Sequence, residues 1–142
     1  MQIETVIEAT DELYKAFQRL VPQLTMNNPP PFLNDLTALV RDSSSTLLVA
    51  RNEENIIVGA LTLVVYRVPT GIRSIIEDVI VDSSARGQGV GEALMKRAIE
   101  IAHEKGARNI SLTSNPMREA ANRLYLRMGF KKRETNAYQM KL

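Results

Sequence analysis

A glycine-rich stretch in the second half of the chain has the residue types to hold an anion. Residues 86–91 read Arg-Gly-Gln-Gly-Val-Gly and lie between a predicted strand and a predicted helix. Glycines at alternate positions let the backbone approach a ligand closely, and the amides of a first helical turn carry about half a unit of positive charge. Arg86 adds a guanidinium suited to phosphate oxygens. The stretch therefore predicts a phosphate-binding loop.

Spacing excludes two well-known phosphate-binding templates for this loop. A P-loop needs G-x-x-x-x-G-K-[ST], which the sequence lacks. A dinucleotide fingerprint needs G-x-G-x-x-G, and counting from Gly87 places Glu92 at the last glycine, while counting from Gly89 fails in the same way. A third arrangement remains, Arg-x-x-Gly-x-Gly, which begins at Arg86 and ends at Gly91.

The elements that must position this loop follow a mixed α/β order. Apolar periodicity predicts strand, helix, helix, hairpin, strand, helix, strand, helix and a final hairpin. Thr10 is expected to cap the first helix, and Asn115-Pro116 to open the last one. The predicted strands are residues 3–9, 46–52, 55–68, 74–82, 109–114, 130–134 and 137–142, and two of the predicted helices span 33–40 and 89–105.

Length and composition exclude several function classes. The 142 residues, 44% apolar and 24% charged, predict one domain spanning 1–142. Cysteine is absent and His103 is the one histidine, so thiol nucleophiles, Cys-ligated or poly-His metal sites and disulfides are excluded, and we expect no metal. No apolar run approaches the roughly 18 residues of a membrane span, so we expect a cytoplasmic protein without membrane contact. A net charge of +2 is too slight to propose nucleic acid as a partner.

Two motifs together resemble the GNAT superfamily of acetyl-CoA-dependent N-acetyltransferases. The Arg-x-x-Gly-x-Gly run at 86–91 resembles the superfamily's pyrophosphate-binding motif. A second run, at 121–130, resembles its Ala-x-x-Leu-Tyr-x-x-x-Gly-Phe motif. The resemblance implies an α/β (α+β) fold, a single domain with a mixed central sheet of about six or seven strands and about four helices. It also implies acetyl-CoA as co-substrate and an amine of a small molecule or protein as acceptor.

The resemblance implies a set of residues for the co-substrate. The backbone of Val79, Ile80 and Val81 would pair with the pantetheine arm, and one amide there would polarise the thioester carbonyl. The loop would take the pyrophosphate, through Arg86, Gly87, Gln88, Gly89, Val90 and Gly91.

Two catalytic roles follow from the same resemblance. Tyr125 would donate a proton to the departing sulfur, since a phenol with a pKa of about 10 is protonated at neutral pH; the alternative is an ordinary core tyrosine. Glu77 would be the base, although ordered water could take that role, or the acid could simply pair with Arg73. Because strand side chains alternate, Glu77 and Asp78 are expected on opposite faces.

The sequence departs from the family pattern at one position. Seven residues before the tyrosine, where many members carry an asparagine that contacts pantetheine, this chain has Arg118. Asn115 or Asn122 could substitute for it, and Arg118 is expected in solvent unless it approaches a phosphate.

The distribution of charge suits these partners. Acidic residues concentrate before Arg86 and basic residues after it. The basic half would hold the phosphates of coenzyme A, and the acidic half would face an acceptor that carries positive charge. A homodimer is one option for the assembly. The second hypothesis is a coenzyme-A-binding module without turnover, such as a sensor.

Overall fold

The computed structural model describes residues 1–142 and contains one sheet of five strands, four α-helices and a short 3₁₀ turn at Ser83–Ala85. The strands are β1 (Gln2–Thr5), β2 (Ser45–Arg51), β3 (Ile57–Val68), β4 (Gly71–Val81) and β5 (Ile110–Ser111). The helices are α1 (Asp11–Leu24), α2 (Leu33–Arg41), α3 (Val90–Glu104) and α4 (Glu119–Arg127). The strands lie in sequence order, with β1 to β4 antiparallel and β5 parallel to β4.

The helices cover both faces of the sheet and bury two separate apolar clusters. On one face α3 packs with Leu94 against β-strand residues such as Leu48. On the other, α1 and α2 bury Leu20 and Leu36 against residues such as Leu47. Neighbouring residues of β2 thus serve opposite clusters, as alternation along a strand requires. Burial of each such side chain stabilises the fold by about 1.5–3 kcal/mol.

The parallel pairing of β4 with β5 is short, and this leaves part of β4 exposed at its edge. The two strands pair only at Ser74 and Ile75. Ser74 Oγ donates to the carbonyl oxygen of Asn109 at 2.7 Å, which fixes the start of β5. Beyond this point β4 stays paired with β3 as far as Val81, while no strand covers its other side. We call this uncovered side, residues 77–81, the open edge of β4.

Several helix boundaries confirm the sequence signals. Thr10 Oγ1 accepts a hydrogen bond from the amide of Leu13 at 3.1 Å, as expected of an N-cap. Gly106 follows α3 with a φ of 80°, and Gly129 follows α4 with a φ of 104°, so each helix ends at a residue that tolerates the left-handed region.

The predicted final hairpin does not form, so the sheet has five strands and the expectation of six or seven is wrong. Residues 131–142 are exposed and belong to no element. Three consecutive cations at 131–133 keep the first strand of this predicted hairpin, residues 130–134, hydrated. In addition, β5 is only two residues long and presents almost no edge for another strand to join.

The last helix begins later than predicted. Asn115 was expected to cap it, but its Oδ1 accepts from the amide of Met117 at 2.8 Å and its carbonyl oxygen accepts from that of Arg118 at 3.0 Å. These bonds close a local turn, which asparagine side chains favour, and α4 starts only at Glu119.

Candidate functional site

The glycine loop joins the end of β4 to the start of α3 and presents unpaired amides. Gly87 and Gly89 adopt φ values of 76° and 79°, which residues with a side chain rarely adopt. An added Cβ at either position would meet nothing within 4 Å, so the space beside the loop is open. The amides from Gly87 to Glu92 donate to no backbone oxygen of the chain. The loop therefore has free donors at the positive end of a helix.

Contacts behind the loop hold it against α1. Asp82 is 8% exposed and accepts hydrogen bonds from the Ser84 amide at 3.0 Å and from Arg19 Nε at 3.1 Å. The Ser84 amide bond lowers the pKa of Asp82 most, and Arg19 lowers it further against the opposing effect of burial. Arg19 also donates to the carbonyl oxygen of Ile57. Sequence reasoning did not identify Asp82 or Arg19, because the bond between them spans residues far apart in the chain.

A β-bulge at Asp78 reorients two acidic side chains. In the β3–β4 register Glu77 lies opposite Thr62 and Ile80 opposite Ala60, so one extra residue lies between these rungs. Asp78 has a φ of 49°. Residues directly opposite each other share a face of the sheet, so Glu77 lies on the same face as Thr62. Asp78 and Thr62 line one cavity, so Asp78 lies on this face as well. The expectation that the two acids point to opposite faces is wrong, because the bulge breaks the alternation.

The environment of Glu77 perturbs its acidity. Burial raises the pKa of the Glu77 carboxyl above its usual value, and the neighbouring charge of Asp78 raises it further. The alternative pairing with Arg73 does not occur, since Arg73 donates instead to Thr70 Oγ1 at 2.8 Å. Glu77 is therefore an unpaired carboxyl on the same face as the cavity.

Backbone groups of the open edge face the space between β4 and α4. The amide of Asp82 donates to the carbonyl oxygen of Val58 on β3, so by alternation the backbone groups of Val79 and Val81 point away from β3 and those of Ile80 toward it. The carbonyl oxygen of Val79 accepts from Arg118 Nη2 at 3.2 Å. Arg118 is exposed, as expected, yet its guanidinium is bonded to the open edge.

Tyr125 lies on α4 at the side of this opening. The residue is 6% exposed and packs edge-to-face on Phe130 with ring centroids 6.1 Å apart. Burial raises the pKa of its phenol, and the nearby charge of Arg118 opposes that rise. A Cβ on Gly91 would lie 3.5 Å from Leu124, which shows how closely α4 approaches the start of α3. Tyr125 belongs to the apolar core, and its neighbour Leu124 lies beside the start of α3.

Asn115 and Asn122, the two candidates for contact with pantetheine, lie close together, but each already forms hydrogen bonds within the chain. Asn122 Nδ2 donates to the carbonyl oxygen of Asn115 at 3.0 Å. This bond links the turn before α4 to the helix itself.

Two cavities lie on the α1 side of the sheet. The first, about 260 Å³, is open to solvent on one side and is lined by residues of α1, α2, the proline loop after α1 and the sheet, with Asp78 in its wall. We call it the α1–α2 cavity. The second, about 330 Å³, lies between the start of α1 and the β2–β3 turn. Its charged residues are already paired within the chain: Lys15 with Asp11, Arg19 with Asp82, and Glu12 with Arg51. It therefore has little charge left to recognise a ligand.

No helix combines the length and apolar character that crossing a bilayer requires. Groups of three or more His, Asp or Glu side chains placed to hold a metal ion do not occur either.

Comparisons with known proteins match nearly the whole chain. The sequence model of the Acetyltransferase (GNAT) family matches residues 8–130. A probable glucosamine 6-phosphate N-acetyltransferase 2 of Oryza sativa subsp. japonica is 32% identical over 136 residues, which cover 87% of this chain and 78% of that protein. N-acetyltransferase 8B of Rattus norvegicus is 31% identical over 100 residues, 69% of this chain and 45% of that protein. The chain thus spans less than half the length of some of the curated relatives it matches.

Solved structures give the same result. A protein of Bacillus halodurans C-125 described as a transcriptional regulator is 31% identical, with a TM-score of 0.79 over 99% of this chain and 100% of that one. An aminoglycoside acetyltransferase from a soil metagenomic sample, solved with sisomicin, has a TM-score of 0.84 over 99% of this chain and 95% of its own, at 22% identity, and so shares the fold. The chain belongs to the acetyltransferase (GNAT) family, which confirms the family expected from its two motifs.

Proposed function

We propose that the chain is an acetyl-CoA-dependent N-acetyltransferase that moves an acetyl group directly to an amine. The observation that carries the proposal is the row of unpaired amides from Gly87 to Glu92 beside the open edge of β4. Family membership supports acetyl-CoA as the co-substrate that these donors would bind.

The residues of the loop and the strand fit the parts of that co-substrate. Free amides at a helix N-terminus suit a pyrophosphate, and the open conformations of Gly87 and Gly89 leave room for it. Arg86 is exposed and belongs to no ion pair, so its guanidinium is available to phosphate oxygens. The outward backbone groups of Val79 and Val81 suit a pantetheine arm, for which Arg118 would give up its bond to Val79. Gln88 and Val90 would contribute backbone groups within the same loop.

Acetyl-CoA supplies an acetyl group activated as a thioester. The transfer forms a C–N bond to the acceptor and breaks the C–S bond, and the residues of this chain move the protons. Glu77 takes one proton from the ammonium so that the amine becomes nucleophilic. Tyr125 gives its proton to the departing sulfur and regains one from the acylated nitrogen, so the products are an amide, free coenzyme A and one proton. The backbone amide of Val79 or Val81 stabilises charge on the carbonyl oxygen.

A thiol-release assay with acetyl-CoA and a panel of amines tests the proposal. We expect amine-dependent release of coenzyme A, and for Arg86→Ala a rise of about tenfold in the coenzyme A dissociation constant with little change in kcat at saturation. Arg67→Ala is the matched control, because Arg67 is an exposed arginine on β3. An Arg86→Ala protein with an unchanged dissociation constant would show that the loop does not hold the phosphates.

A coenzyme-A-binding module without turnover is the second candidate. It is favoured by the 31% identical Bacillus halodurans protein, which is described as a transcriptional regulator. Tight binding of acetyl-CoA with no amine-dependent thiol release would select this candidate. The cytoplasmic location and a homodimer stay predictions of the sequence.

A further inference from the structure

We propose that the α1–α2 cavity binds the acceptor, and that the acceptor is a small primary amine with an apolar body and no anionic group. The inference rests on the proposed function and names the substrate class that the same site would take. It is carried by the charge, the lining and the position of this cavity.

The charge of the cavity selects a cation. Among the 15 residues that line it, Asp35 and Asp78 are acidic and none is lysine, arginine or histidine. Asp35 already accepts the Phe32 amide through Oδ2 at 2.9 Å. Asp78 takes part in none of the ion pairs of the chain. Asp78 is exposed, and its carboxylate is free to accept hydrogen bonds from an ammonium group.

The lining and the volume of the α1–α2 cavity favour an acceptor whose amine is attached to an apolar group. Hydrophobic side chains come from all three walls: Phe17 and Val21 from α1, Leu36 and Leu39 from α2, and Leu47 and Ile80 from the sheet. The cavity volume of about 260 Å³ lies just below the range of about 300–1,000 Å³ that is typical of sites for drug-sized ligands. That volume suits an amine carried on one ring or a short branched chain.

The position of the cavity connects it to the proposed chemistry. Asp78 forms the bulge of β4 and directly precedes Val79, whose backbone faces the open edge on the other side of the strand. Glu77, the proposed base, lies on the same face as the cavity. An ammonium held by Asp78 would therefore lie beside Glu77 and close to the strand along which the thioester is expected.

The same lining argues against a phosphorylated sugar. Relatives from Oryza sativa subsp. japonica and Trypanosoma brucei brucei are described as glucosamine 6-phosphate N-acetyltransferases. A phosphate dianion in the α1–α2 cavity would meet two carboxylates and no cation, and eight of the 15 lining residues are hydrophobic. The cavity therefore suits an amine without an anionic group better than it suits a phosphorylated sugar.

The test compares three acceptors in the thiol-release assay with the full chain. 2-Phenylethylamine and L-phenylalanine differ by one carboxylate, and glucosamine 6-phosphate is the acceptor named for the relatives. We expect kcat/KM to be highest for 2-phenylethylamine and at least tenfold lower for the other two. Asp78→Asn is expected to raise the KM for 2-phenylethylamine about ten- to hundredfold. Asparagine tolerates the positive φ of this position, and Glu53→Gln, an exposed acid in the β2–β3 turn, is the matched control.

A binding readout keeps the test decisive if turnover is slow. Methyl signals of Leu36 and Leu39 in a ¹³C-labelled sample should shift on addition of 2-phenylethylamine, and less so in the Asp78→Asn protein. No shift, an unchanged KM in Asp78→Asn, or a preference for glucosamine 6-phosphate would overturn the inference. If acetyl-CoA binds and another amine is acetylated, only the acceptor assignment fails. If acetyl-CoA does not bind at all, the proposed function fails as well.

Discussion

Tyr125 has a buried ring and a hydroxyl that has no hydrogen-bond partner within the chain. Removal of the hydroxyl separates the packing role of the ring from the proposed role of the phenol as general acid. Tyr125→Phe keeps the packing on Phe130, so we expect the fold and the acetyl-CoA dissociation constant to change less than about twofold. Loss of the general acid should lower kcat about hundredfold. Steady-state thiol release and calorimetry measure the two quantities, with Tyr138→Phe at the 88% exposed Tyr138 as control. Equal kcat values would remove Tyr125 from the mechanism.

The acidic pair of β4 should determine the pH dependence of turnover. Burial and the charge of Asp78 raise the pKa of Glu77, so kcat/KM should rise with pH through a value above the usual 4.5. Asp78→Asn removes the like charge and should move this rise to lower pH. Glu77→Gln should abolish it. The same acceptor is used for each variant, so the acceptor's own ionisation cancels in the comparison. A rise at the same pH in the wild type and in Asp78→Asn would contradict the proposed coupling.

At the scale of single residues, the sequence names candidate site residues where a motif contains them. The loop residues and Tyr125 are predicted because their types and spacing are local signals. The bond from Arg118 to Val79 and the bond from Arg19 to Asp82 are not, because each joins segments 39 or more residues apart. The shared face of Glu77 and Asp78 was missed because a bulge depends on the neighbouring strand as well as on the strand's own sequence.

At the scale of elements, Gly59 sets how closely α3 approaches β3. A Cβ there would lie 2.8 Å from Val90 Cγ1 and 3.2 Å from the backbone oxygen of Ile80. Val90 is buried at the first turn of α3, next to the glycine loop. Gly59→Ala should therefore destabilise the fold by about 1–3 kcal/mol and weaken coenzyme A binding.

Urea unfolding and calorimetry measure both effects of Gly59→Ala. Val90→Ala added to Gly59→Ala removes the nearest clash and should restore part of the coenzyme A affinity. If Gly59→Ala is as stable as the wild type and binds coenzyme A equally well, α3 is not held at the distance described.

The elements were predicted well where periodicity and end signals agreed. Helix α1 begins directly after its predicted cap Thr10, and α2, α3 and the antiparallel strands β2 and β3 match their predicted positions closely, because apolar spacing and boundary residues are local signals. The segment after residue 130 also has strand-like alternation at Tyr138, Met140 and Leu142, yet all three are exposed. Alternation alone does not reveal that β5 is only two residues long and offers no edge with which residues 137–142 could pair.

At the scale of the whole molecule, Arg51 connects three elements. Its guanidinium donates to Glu4 on β1 at 2.7 Å and to Glu12 on α1 at 2.8 Å, and its own side chain is 15% exposed. Arg51→Met should lower the free energy of unfolding by about 1–3 kcal/mol at neutral pH. Lys15→Met is the control, since its ion pair with Asp11 is exposed and should contribute close to nothing.

The same contacts predict how stability depends on pH. The bond from Arg51 lowers the pKa of Glu12, and the bond from the Ser84 amide lowers that of Asp82. A carboxyl with a lowered pKa in the folded state stabilises it above the unfolded values of 4.5 and 3.8, and this contribution is lost as pH falls through the folded values. Glu77 acts in the opposite direction, because its raised pKa favours the folded state only at low pH. Urea unfolding between pH 7 and pH 3 should show falling stability, with a smaller fall in Arg51→Met. An equal fall in both proteins would contradict the role of Arg51.

The central claim is that the amides of the glycine loop bind the diphosphate of coenzyme A, and an NMR titration tests it most directly. In ¹H–¹⁵N spectra recorded during addition of coenzyme A, the signals of Gly87, Gly89 and Gly91 should move with the largest shifts in the chain and saturate together. Arg86→Ala should require more coenzyme A to reach the same end point. Saturable binding that leaves these three glycines unmoved, with shifts centred elsewhere, would contradict the account.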